Sequence, residues 1–175
     1  MKRITRVIIA FVCLLLVFPS CTYKLSLNGA SIPVNMKTIR VEFFENNAAL
    51  VVNNLSTQFT EALKDRIRNT TRLGVVTGEA DAVMSGTITD YNISPVSINA
   101  TANNVAPIAG ASQLTITVNV KYVNNLDKKD NFESSFSKAL PFTGDINSQE
   151  QTLIAAINKQ LTEDIFNRAF ANWGN

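Results

Sequence analysis

Side chains that could carry chemistry are few in this 175-residue chain, and their spacing is unhelpful. It contains no histidine, which excludes imidazole acid–base catalysis and histidine-based triads. Asp90 and Tyr91 stand together near the end of an alternating stretch, and would make an acid pair only if Glu133 folded beside them. A solvated strand end is the simpler reading. The run Glu133-Ser134-Ser135-Phe136-Ser137-Lys138 places three hydroxyls near one lysine, the only base available to activate a serine without histidine. A hydroxyl-rich solvent face explains the same run without chemistry. The seven glycines are scattered and form no phosphate-cradling loop. The chain is therefore expected to be no enzyme and to hold no metal or cofactor.

Both cysteines, Cys13 and Cys21, lie early, around one apolar run. Lys2, Arg3 and Arg6 form a positive start, Val7 to Phe18 is apolar, and Pro19-Ser20 supplies a small residue before Cys21. That is the pattern of a secretory signal peptide, residues 1–20. Its apolar run falls short of the roughly 20 residues that cross a bilayer. Cys13 leaves with the peptide. A cysteine directly after such a region resembles the lipobox of bacterial lipoproteins, which implies a diacylglycerol thioether and an N-acyl chain on Cys21. Two or more acyl chains anchor stably where one binds only marginally. Thr22 and Tyr23 follow Cys21 without an acidic residue, so the outer membrane, on its periplasmic side, is the expected location.

Without Lys2, Arg3 and Arg6, the sixteen basic residues fall to thirteen against fourteen acidic ones, close to −1. No basic field remains to bind nucleic acid by counterion release. With Cys21 acylated and histidine absent, zinc sites of the Cys/His kind are excluded. No disulfide can form in the mature chain.

These sparse groups must be positioned by ordinary elements. Residues 21–37 read as a lipidated tether, and 38–175 as a single domain. Ile39, Val41 and Phe43 alternate with Thr38, Arg40 and Glu42 as in a half-buried strand. Leu55, Phe59, Ala62, Leu63 and Ile67 then recur at three- and four-residue steps, the stripe of an amphipathic helix. "LGVVT" is a short strand and "AVMSGTITDYNI" a longer one, in which Gly86 marks a bulge or a close approach, here expected against a helix. Residues 99–112 read as a flexible loop. "QLTITVNVKYVNN" and "FESSFSKALPF" form an antiparallel hairpin. Ser148 and Gln151 resemble a capping box for a last helix with Ile154, Ile157, Leu161, Ile165, Ala169 and Trp173 on one stripe. The expected fold is α+β: a two-layer sandwich, with a mostly antiparallel four- or five-stranded sheet and both helices on one face. Arg40, Thr87, Thr117, Asn119, Lys121 and Ser135 then fall on the open face.

The lipoprotein-like start followed by "TIRVEFFENNAALVV", "LSTQFTEALKDRI", "GTITDYNISP", "LTITVNVKYVN", "NFESSFSKALPF" and "LIAAINKQLTEDIFNRAFANW" resembles the LptE family of lipopolysaccharide-assembly lipoproteins. The resemblance implies a non-catalytic outer-membrane subunit that plugs and helps assemble an LptD-type β-barrel while lipopolysaccharide passes to the outer leaflet. Lipopolysaccharide carries phosphates, so Arg40 and Lys121 are the candidate ligand-binding cations. The runner-up is a periplasmic lipoprotein adaptor or activator, or a CsgG-like secretion-channel subunit.

Overall fold

The computed structural model describes residues 32–50, 52–96 and 111–171. The signal peptide, Cys21, Trp173 and most of the 99–112 stretch lie outside the described residues.

The first strand, β1 (Thr38–Val41), points Ile39 and Val41 into the core. A two-residue strand, β2 (Glu45–Asn46), follows. Helix α1 (Leu55–Thr70) begins at Asn54, which sits in the left-handed region at φ 67°, a conformation asparagine tolerates better than most residues. The helix buries Leu55, Phe59, Leu63 and Ile67 as its periodicity requires. It is about 24 Å long, enough to return the chain so that β3 (Gly74–Val76) runs parallel to β1. Strands β4 (Ala82–Pro95), β5 (Ala111–Asn124) and β6 (Phe132–Thr143) form an antiparallel meander. Helix α2 (Glu150–Phe170) closes the fold and buries Ile154, Ile157, Leu161, Ile165, Phe166 and Phe170.

The two-helix α+β class is as expected, but the sheet has six strands and is mixed. Its order is β3-β1-β4-β5-β6, with β2 also pairing β4. β1 lies parallel to both of its neighbours, because a helical crossover on one side and a loop on the other return the chain in the same direction each time. Residues 77–81 carry the chain past β1, where the Gly78 carbonyl accepts a long 3.5 Å hydrogen bond from Arg40 Nη1.

Two bulges set which side chains face the helices. Val41 pairs with Met84 but Glu45 with Thr87, so the first strand spends one extra residue between them. The phase slips there: Phe43, expected inside, is 57% exposed, and Phe44 is buried in its place. Phe44 packs edge-on against Phe59 at 5.1 Å between ring centroids. Its backbone N–H donates to Thr60 Oγ1 of α1 at 3.1 Å. Gly86 is required by the same packing. A Cβ there would overlap the Asn119 carbonyl of β5 and lie 2.7 Å from Phe44 Cε1, so the close neighbours are a strand and a phenyl ring and not a helix. The second bulge leaves Thr89 without a partner between Ile88 and Asp90. It turns Tyr91 inward, where its hydroxyl donates to Glu150 Oε1 at 2.7 Å.

The entry to α2 also differs from expectation. Ser148 closes a short 3-10 turn, Ile146–Ser148, and its Oγ donates to the Asp145 carbonyl. The helix starts at Gln149 with no side-chain cap, because Asp145 has already stopped the chain by accepting from Asn147 N at 3.2 Å.

Candidate functional site

Strands β4 and β5 each run 14 residues, about 46 Å at ordinary strand rise. One of their faces is covered by the helices. On the open face the registers stack three strands into rows. Ser85, Lys121 and Glu133 form one row; Thr87, Asn119 and Ser135 the next; Asp90, Thr117 and Ser137 the third; Asn92, Thr115 and Ala139 the fourth. Three charged groups, Asp90, Lys121 and Glu133, appear among these twelve residues. The rest are mostly hydroxyls and amides that exchange hydrogen bonds along the surface. Thr117 Oγ1 and Ser137 Oγ lie 3.0 Å apart. Thr89 Oγ1 donates to the Thr117 carbonyl at 3.3 Å. Such a surface can satisfy a wet polar partner without desolvating many charges.

Arg40 and Lys121 both reach this face, as expected, but in different states. Arg40 Nη2 is ion-paired to Glu42 Oε1 at 3.1 Å, and its Nε is buried without a partner in the described residues. Lys121 is exposed and stands in register opposite Glu133. An incoming phosphate would have to replace Glu42 at Arg40, whereas at Lys121 it would meet a solvated ammonium.

The catalytic candidates are separated. Four residues of rise and two strand spacings put Asp90 and Glu133 about 16 Å apart. Tyr91 faces the core, where burial first, then the hydrogen bond to Glu150 and that carboxylate's charge, hold its hydroxyl well above the usual tyrosine range. Ser135 and Ser137 face the open side, while Lys138 faces the helices and pairs with Asp164 at 2.7 Å. No Ser–Lys pair is assembled from these residues. Sequence reasoning missed the open groove where Phe43 stands beside Asn46, Val52, Asn54 and Ser56. Its only signal, the doubled Phe43-Phe44, does not say which ring turns outward.

A family model described as "LptE: Lipopolysaccharide-assembly" matches residues 36–169. No curated protein sequence matches the chain. Among solved structures, a hypothetical protein from Chlamydia trachomatis superposes with a TM-score of 0.55 at 11% identity, over 76% of this chain and 95% of that one. The rare lipoprotein B from Shewanella oneidensis gives 0.50 at 12%, over 73% and 91%. A Xanthomonas campestris protein gives 0.50 at 8%, over 78% and 87%. At these identities the likeness is one of fold.

Proposed function

The chain belongs to the LptE lipopolysaccharide-assembly family, and from that premise we propose that it is a non-catalytic, lipid-anchored subunit of a lipopolysaccharide translocon. In this reading residues 1–20 are removed and Cys21 is acylated. The domain sits at the periplasmic side of the outer membrane and plugs an LptD-type β-barrel.

The observation that carries the proposal is the open face of β4, β5 and β6. A barrel lumen is lined by polar side chains, because lumen-facing residues alternate with lipid-facing ones. A long hydroxyl and amide surface with three charges in four rows matches that environment. An apolar surface would not, and a strongly charged one would leave ions unpaired on insertion. Arg40 and Lys121 then serve as the cations of this face for lipopolysaccharide phosphates, with Lys121 the more available.

The test is a mild-detergent pull-down of the tagged mature lipoprotein from native membranes, with mass spectrometry of its partners. A stoichiometric outer-membrane barrel is the expected result. Recovery as a lone monomer or as a closed homo-oligomeric ring overturns it.

A further inference from the structure

The end of the domain where the tether arrives has its own surface chemistry. Met36 N donates to the Pro33 carbonyl at 3.0 Å, closing a turn that presents Val34, which is 88% exposed. The hairpin between β5 and β6 presents Leu126, 44% exposed. Asp81 ties these tips together. Its Oδ2 accepts from Lys37 N at 2.8 Å and Thr38 N at 2.9 Å, while its carbonyl accepts from Asn125 N at 2.8 Å. The Tyr122 hydroxyl, donating to Met36 Sδ at 3.8 Å, holds the same two segments from the core side. Lys37 follows the first tip, and Lys128 and Lys129 follow the second on an exposed 3-10 turn.

Carboxylates share this end, but they are drawn back onto the chain. Asp81 is held as above, Asp127 accepts from Lys129 N at 3.0 Å, and Asp130 accepts from Asn124 Nδ2 at 2.9 Å. Glu79, exposed, also adjoins this end, since the carbonyl of the next residue, Ala80, accepts from Asn125 Nδ2 at 2.8 Å; it sits on the 77–81 connection and on neither tip. Lysine stems extend further than aspartates and keep their ammonium heads in the polar layer above apolar neighbours.

We propose that this end, with Val34 and Leu126 flanked by Lys37, Lys128 and Lys129, seats on the phospholipid headgroup layer beside the Cys21 anchor. The proposal rests on the reading of Cys21 as acylated. Ten residues lie between Cys21 and Ile32, and the eleven steps from one to the other span at most about 38 Å, so the bilayer is the surface this end meets at high effective concentration. The two tips each offer one exposed large apolar side chain, Val34 and Leu126, where a protein interface buries about 800 Å² per partner. They suit shallow insertion, with ammonium groups on lipid phosphates.

The experiment is vesicle flotation of the mature chain carrying Cys21→Ser, so that only the protein surface can hold it. The chain is expected to float with vesicles of phosphatidylethanolamine and phosphatidylglycerol at low salt, and far less with phosphatidylcholine alone. Val34→Asp with Leu126→Asp should cut the bound fraction at least about tenfold. Lys128→Glu with Lys129→Glu should cut it about fivefold per lysine. Leu50→Asp is the control: α1 begins beside it and runs back toward the tether end, so its exposed side chain lies elsewhere, and the bound fraction should not change. Failure of the Cys21→Ser chain to float, or equal losses from Leu50→Asp and Leu126→Asp, overturns the proposal. Mass analysis of the native lipoprotein tests the anchor separately. Acylated Cys21 with no flotation sinks only the docking surface, and unmodified Cys21 sinks the anchor reading itself.

Discussion

Strand β5 carries two surfaces on one backbone. Toward the helices it turns Leu114, Ile116, Val118, Val120 and Tyr122, each at most 1% exposed. Toward the open side it turns Thr115, Thr117, Asn119 and Lys121. The covered face has little freedom, because protein cores are close-packed and a change of one methylene is felt. The open face contributes little to folding, so its composition is free to answer to whatever lies against it. The separation is sharp because a strand's side chains alternate strictly, and a slip of one residue would exchange the two surfaces completely.

The comparison can be broken most forcefully from the covered side. Gly86→Val would put its Cβ into the Asn119 carbonyl and against the Phe44 ring, with two methyl groups still to place. A destabilisation of about 3 kcal/mol or more is expected, read by chemical denaturation. Leu161→Ala, deep in the helix layer, should cost about 2 to 5 kcal/mol. If either proves neutral, the two faces are not separated as described.

Alkaline titration sharpens the same contrast. Tyr122, buried and then also opposed by the charge of Asp130, has its hydroxyl pushed up to about 12. The folded value lies above the ordinary one near 10, so its contribution to stability is complete below about pH 10 and is lost as the pH rises through about 12. Ultraviolet absorbance of the folded protein should show this tyrosine ionising only in that upper range, together with loss of tertiary structure. Ionisation of more than one of the three tyrosines near pH 10 without unfolding would mean that the covered face is wet.

Smaller effects belong to the open face. Arg40→Ala with Lys121→Ala should weaken binding to purified lipopolysaccharide severalfold at low salt, since exposed cations act mainly through a screened field. Lys121→Ala should account for most of it, because Arg40 already serves Glu42. Unchanged binding would return both to ordinary surface charges. Thr117→Ala and Ser137→Ala, which remove a 3.0 Å hydroxyl contact, should alter stability by no more than about 0.5 kcal/mol, while barrel recovery in the pull-down falls. A large loss of stability would show that this face helps hold the fold.

Much of the fold was legible because each stripe is local. The alternation from Leu114 to Tyr122 and the steps from Leu55 to Ile67 each report one element and its buried side, and both hold. The ambiguous places were those where two elements compete. "EFFEN" contains two adjacent rings, and only the register of β4, with Met84 opposite Val41 and Thr87 opposite Glu45, turns Phe43 outward and Phe44 inward. Ser148 and Gln151 have capping-box spacing, yet Asp145 captures the turn first. Of the candidate site, the polar face and the presence of Arg40 and Lys121 on it could be read from alternation. The engagement of Arg40 with Glu42 could not be assigned from alternation alone, since two outward residues of one strand can each find other partners.

The amino-acid order by itself therefore determined the absence of imidazole chemistry, the identity of the long elements and the two-sidedness of β5. Each of these depends on composition or on a period of two or 3.6 residues. The directions of β1 and β3, the phase slip at Phe43 and the joining of Lys37 and Thr38 to Asn125 through Asp81 were decided only in the folded chain. They depend on which strands pair, and pairing is settled by burying all the stripes at once and satisfying the backbone groups between them, a condition that no single segment contains.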